Sequence, residues 1–181
     1  MTTIDDVLAF WFGAGMKARW FEKDEAFDAE VRARLGAAQE QAARGELDSW
    51  AETARGSLAL VILLDQVPRN LYRDDPRAFA SDAAARAVIR RAIEAGFDRE
   101  LEQAQRLFLY MPLQHSETLA DQEDCCRLFE TLTEHPEGVG YARQHRDIIA
   151  RFGRFPHRNA ALGRDSSEEE KAFLEEPGSS F

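Results

Sequence analysis

The chain has 181 residues, 44% apolar and 31% charged, which bounds it to a single soluble domain with length enough for a sizeable core. Its formal net charge of −10 argues against general nucleic-acid or anionic-membrane binding, since both need a strong positive field. No apolar run approaches the roughly 20 residues of a membrane span. The opening MTTIDDVLAFWF has two acids and no basic n-region, so a cytoplasmic protein is expected.

Thr3 is a candidate N-cap for a first helix through Phe12, with Asp5 and Asp6 at its positive end. Gly13 and Gly15 end it, and Trp20 and Phe21 read as anchors in the linker. Phe27, Val31, Leu35 and Ala38 predict a second helix over Glu25 to Arg44, stopped by Gly45.

A central helix is expected from Leu47. It carries Trp50, Ala54, Val61 and Leu64 on one stripe, with Leu58 and Ile62 widening it. The unbroken run Leu58 to Leu64 is apolar on every side, so this helix must be surrounded by protein. It gives way to Asp65, Gln66, Arg69 and Asn70 around Pro68, and residues 67 to 80 read as an irregular connector. Ser81 or Asp82 caps an alanine-rich helix ending at Gly96.

Asp98 is expected to open a helix through Leu107, Phe108 and Met111 that Pro112 bends or ends. Ser116 then caps a helix with the stripe Leu119, Gln122, Cys126, Phe129. His135 to Gly138 reads as an exposed turn. Tyr141, His145, Ile148 and Phe152 share one face of the following helix, where His145 reads as a core histidine donating to a neighbour. A final helix opens with Ser166 or Ser167 and Glu169 or Glu170, in the capping-box pattern, and residues 176–181 are expected to fray. No segment alternates with period two. The expectation is one all-α domain over 1–181, about eight helices in antiparallel hairpins.

Three stretches share one design, an apolar helix, a proline and a polar cluster: LLDQVPRN, FLYMPLQHSE and RFGRFPHRN. Either the polar groups satisfy carbonyls that proline leaves open, or the three clusters converge on a ligand. Asp65, taken to lie at a helix C-terminus, needs a cationic partner, with Arg69, Arg154 and Arg158 as candidates. Residues 143–164 hold six Arg against Asp147, a local charge of 6 − 1 = +5, while residues 98–137 carry ten acids and three Arg, or −7. These segments either cancel by facing each other or leave an arginine-lined anion pocket.

In the convergent reading, Asp65, Gln66, Arg69, Asn70, Arg154, Arg158 and Asn159 bind a small anionic metabolite or an acidic peptide end. His115, Glu117 and His157 are the acid–base candidates of a hydrolase or transferase alternative. A third alternative is a structural or protein-interaction module. There is no HExxH, GxSxG, GxGxxG, Walker A or Cys/His zinc spacing, so no metal or cofactor is expected. Cys125 and Cys126 are adjacent, which strains a disulfide. Nothing in the sequence sets the oligomeric state.

The blocks LLDQVPRNLYR, FLYMPLQHSE and RFGRFPHRNAALGRDSSEEEKAFL resemble the signatures of a bacterial domain-of-unknown-function family with a tetratricopeptide-like helical fold. The resemblance runs from Val7 to Leu174. It implies a bundle of helical hairpins and brings no reaction, substrate or cofactor. Val67 stands where that family usually has Phe, and Asp165-Ser166-Ser167 where it more often has Glu-Ser-Thr.

Overall fold

The computed structural model describes residues 2–179. Among these, regular structure is helical throughout, with no strand. The helices are α1 (Ile4–Trp11), α2 (Glu25–Ala43), α3, α4 (Asp82–Glu94), α5 (Gln103–Gln114), α6 (Leu119–Phe129), α7 (Pro136–Phe152) and α8 (Glu168–Leu174). Helix α3 runs as Ala54–Val61, widens into a π turn at Ile62–Gln66 and continues as Val67–Leu71. From α2 to α7 each helix packs on the next, and α1 rests on α3. Loops of four to six residues join α5 to α6 and α6 to α7, so these are helical hairpins. No helix of the described residues is long and apolar enough to cross a membrane.

Local signals fall where the sequence puts them at both ends of the chain. Thr3 and Asp6 form a capping box on α1, and Ser167 and Glu170 form one on α8. The run Leu58 to Leu64 is buried on all sides at the centre of one continuous core. A smaller cluster of Ile148, Ile149 and Phe155 joins α7 to α8 through Phe152 and Phe173. Trp20 is an anchor, edge-on to Phe108 at 4.6 Å, whereas Phe21 is mostly exposed.

The structure corrects several boundaries. The central helix begins at Ala54, not Leu47. Thr53 is its N-cap, and Asp48–Glu52 is a separate 3-10 turn folded back onto the first turn of α3. That return needs a glycine. A Cβ on Gly56 would sit 2.0 Å from the Trp50 carbonyl oxygen and 2.9 Å from Thr53 Oγ1. Gly56→Ala is expected to cost about 2–3 kcal/mol, because backbone must move to admit the methyl. An unchanged urea midpoint for this variant would contradict the close approach.

Neither proline stops its helix. Pro112 lies within α5, and α3 passes Pro68 to reach Leu71, so only residues 72–81 form the connector, with a 3-10 turn at Pro76–Phe79. Pro68 has no N–H for the Leu64 carbonyl, which the Ser81 hydroxyl serves instead at 2.6 Å. Phe97–Glu100 is a 3-10 turn, so α5 starts at Gln103 rather than Asp98. Thr118, not Ser116, holds the N-cap position of α6; the Ser116 hydroxyl accepts from the Thr118 amide and donates to Asp121. His135 is buried, and Pro136 to Gly138 is the first turn of α7 rather than a free turn. In the tail expected to fray, the Gln144 amide donates to the Gly178 carbonyl at 3.0 Å and the Ser179 hydroxyl donates to Leu174 at 3.1 Å. Residues 180 and 181 of that tail lie outside the described residues.

Candidate functional site

Asp65 is the hub of the site. Its side chain is 0% exposed, and it sits in the π turn of α3, well inside the helix. The turn is marked by the Val67 amide bonding back five residues to the Ile62 carbonyl. The need for a cationic partner therefore comes from burial rather than from a helix end. Arg69 meets it, with Nη1 3.2 Å from Asp65 Oδ1 and donating to the Asp65 carbonyl at 2.6 Å. Gln66 Nε2 donates to Oδ2 at 2.6 Å. His115, at the end of α5, turns Nδ1 to both carboxylate oxygens at 2.8 and 2.9 Å. Burial alone would raise the Asp65 pKa, but the charge of Arg69 and the His115 contact outweigh it and hold the carboxyl well below its ordinary range.

A second carboxylate continues the chain. Asp82, in the first turn of α4, takes a two-pronged contact from Arg69 at 3.0 and 3.1 Å. Beyond it lies Arg158, on the short turn Pro156–Arg158 after α7, with Nη1 3.6 Å from Asp82 Oδ2. The Arg158 guanidinium is clamped between two rings, 4.7 Å from the centroid of Phe79 and 4.5 Å from that of Phe155. Its side chain is only 7% exposed. Yet none of its guanidinium N–H groups makes a hydrogen bond among the described residues, and Nε is wholly enclosed. Burial and the neighbouring charge of Arg69 lower its pKa to about 10, against the opposing pull of Asp82, Glu117 and Asp65.

Two further histidines flank this end. His145 is buried, its Nδ1 donates to the Tyr141 carbonyl at 2.8 Å, and burial lowers its pKa to about 3. The Gln114 amide approaches its Nε2 at 3.5 Å. His157 is held to about 4 by burial and by the charge of Arg158. Gln122, the polar residue on a core face, donates to the carbonyls of Leu113, Gln114 and Ser116, and so closes the end of α5 behind His115.

The three polar clusters thus contribute Asp65, Gln66 and Arg69, then His115, then His157 and Arg158 to one region. Four of the residues named from sequence commit their hydrogen bonds elsewhere. Asn70 donates to Asp28 at 2.7 Å on the α2 side, where Arg73 also binds Asp28. Arg154 pairs with Glu170, which it holds at a pKa of about 2, chiefly through that hydrogen bond. Asn159 links Ser166 and Arg164. Glu117 takes both prongs of Arg164 and the Phe155 amide, bracing the segment that carries Arg158.

The charge segments do not simply cancel. Arg143 and Arg164 reach Glu130 and Glu117, but Arg146, Arg151 and Arg154 pair locally with Asp147, Glu169 and Glu170. Asp82 and the two clamping rings were missed from sequence. An acid at a helix start reads as routine capping, and nothing at Phe79 or Phe155 announces a guanidinium between them. No group of three or more His, Cys, Asp or Glu side chains among the described residues is placed to hold a metal ion.

The arrangement can therefore present an enclosed guanidinium with unused donors beside an imidazole oriented by a buried carboxylate. Comparison with known proteins agrees with the fold. The sequence profile of a bacterial family described as a protein of unknown function, DUF924, matches residues 7–178. A solved structure of a protein of unknown function from Agrobacterium tumefaciens is 43% identical, covers 95% of this chain and 96% of its own, and superposes with a TM-score of 0.90. No curated protein matches the chain.

Proposed function

This chain belongs to the bacterial DUF924 family, and we propose that it binds a small oxyanion, a phosphate or a carboxylate-bearing metabolite, at Arg158. The observation that carries the reading is the state of that guanidinium: deeply buried, stacked on two sides, and without a hydrogen-bonded acceptor. Burying an arginine costs several kcal/mol unless an anion or a hydrogen-bond partner compensates it. Asp82 is shared with Arg69 and lies beyond hydrogen-bond reach of Arg158, so a ligand oxyanion completes the pairing. Arg69 and Asp65 hold the charge balance behind it. Cys125 and Cys126, buried free thiols, fit a reducing cytoplasm.

Calorimetric titration of the intact protein with inorganic phosphate, malonate and citrate tests this. At least one should bind, and at 100 times its dissociation constant it should stabilise the fold by about 2.7 kcal/mol, a melting shift on the order of 5–10 °C. Arg158→Lys keeps the charge but loses the flat two-pronged edge, and is expected to weaken binding about tenfold. Failure of all three anions to bind the wild-type protein overturns the reading.

One observation favours acid–base chemistry as a second reading. His115 is oriented by Asp65 through Nδ1, which leaves Nε2 to face a ligand. A hydrolase or transferase using His115 would lose turnover in His115→Gln while still binding an anion at Arg158.

A further inference from the structure

The His115 ring has one committed end and one open end. Asp65 is ionised and only accepts, so the ring proton lies on Nδ1, between 2.8 and 2.9 Å from the carboxylate oxygens. In a neutral ring that leaves Nε2 as a bare lone pair. Nε2 makes no hydrogen bond among the described residues, and the side chain is 16% exposed, enough to meet a ligand at the rim of the enclosed region.

The ring stays neutral near physiological pH. Burial lowers its pKa below the ordinary value; Asp65 pulls the other way, and the charges of Arg69 and Arg158 reinforce the lowering. Those are the charged groups that face it, from α3 and from the turn after α7. His145 on α7 and His157 on that turn also interact with it, and both remain neutral above about pH 4.

Arg158 supplies donors and Nε2 an acceptor, and the two lie near enough for the Arg158 charge to act on the His115 ring. An oxyanion seated there needs charged oxygens for the guanidinium and an O–H for the imidazole. We propose that the site discriminates between oxyanions by their protons, accepting hydrogen phosphate and rejecting sulfate, and that His115 is the residue that reads the difference. The two ions have the same charge and shape at pH 8, but only HPO4²⁻ carries a hydroxyl to donate. Sulfate would set oxygen lone pairs against the lone pair of Nε2. This rests on Arg158 being an anion receptor, and it adds the substrate class.

Titration calorimetry of the intact wild-type protein with inorganic phosphate and with sodium sulfate at pH 8, where both are dianions, tests it. Phosphate should bind at least about tenfold more tightly at pH 8, the effect of one mismatched buried contact. His115→Phe should bring the two affinities together while both anions still bind. Equal binding of the two anions by the wild type, or a ratio that His115→Phe does not alter, overturns the role of His115 and leaves Arg158 as an unselective receptor. If neither anion binds, the Arg158 reading falls for phosphate and this inference falls with it. Should His115→Phe not fold, His115→Gln, whose amide can turn a donor toward either anion, is expected to narrow the ratio and decides in its place.

Discussion

Asp65→Ala is expected to lose about 3–5 kcal/mol of folding stability, the largest effect of any single side chain in the site. The mutation removes a fully enclosed carboxylate and leaves Arg69 and His115 with no charge between them. A domain of this size has roughly 5–15 kcal/mol in all, so the variant would stand close to unfolding at 37 °C. Asp65→Asn keeps the volume and one acceptor oxygen, and should cost less. Urea denaturation of the three proteins gives the comparison. A loss under about 1 kcal/mol for Asp65→Ala would mean that Arg69 and His115 reach water in the folded state, against the burial described above. A large loss in Asp65→Ala together with no anion binding by the wild type would leave the network as a lock on helix ends, the third alternative read from sequence.

Acidification from pH 7.5 to pH 5 is expected to remove about 4 kcal/mol through His145 and His157. Their folded values, about 3 and about 4, lie below the ordinary histidine value. Between those limits the unfolded chain takes up a proton that the folded chain refuses, so stability falls as the pH falls. Each residue has an unfolded value near 6.5, so by pH 5 each should have surrendered about 2 kcal/mol. Below about pH 4 the His157 contribution flattens. Asp65 acts in the same direction but later: its lowered value keeps its stabilisation until the solution is strongly acidic. Urea midpoints measured across the range give the slope directly. A stability that stays level from pH 7.5 to pH 5 would exclude the neutral buried state of both rings. His145→Gln should lower stability at pH 7.5 while reducing the slope.

The helical class, the burial of Leu58 to Leu64, the Thr3 N-cap and the capping box of the last helix were legible because each depends on residues within a turn or two of one another. The misread boundaries depend on distant partners. Pro68 looks like a stop until Ser81, thirteen positions on in the chain, takes the carbonyl it leaves open. The Ala54 start follows from the approach of Trp50 to Gly56, which no periodicity encodes. The site was half legible for the same reason. Asp65, Arg69, His115, His157 and Arg158 were picked out because polar residues interrupt apolar helices there. Asn70 and Asn159 carry the same local signature and serve Asp28 and Arg164 instead. Side-chain type told which residues had unmet polar demands, and only the packing of helices told who met them.

The wide turn at Ile62–Gln66 makes this site hard to transplant. It inserts one residue into the helical winding, so Asp65 and Arg69 keep a four-residue spacing while the rod around them changes phase. A designer who copied those side chains onto an evenly wound host would preserve the letters and misdirect the carboxylate by about a quarter of a revolution. The portable unit is the irregular segment with its cargo, from Val61 through Arg69.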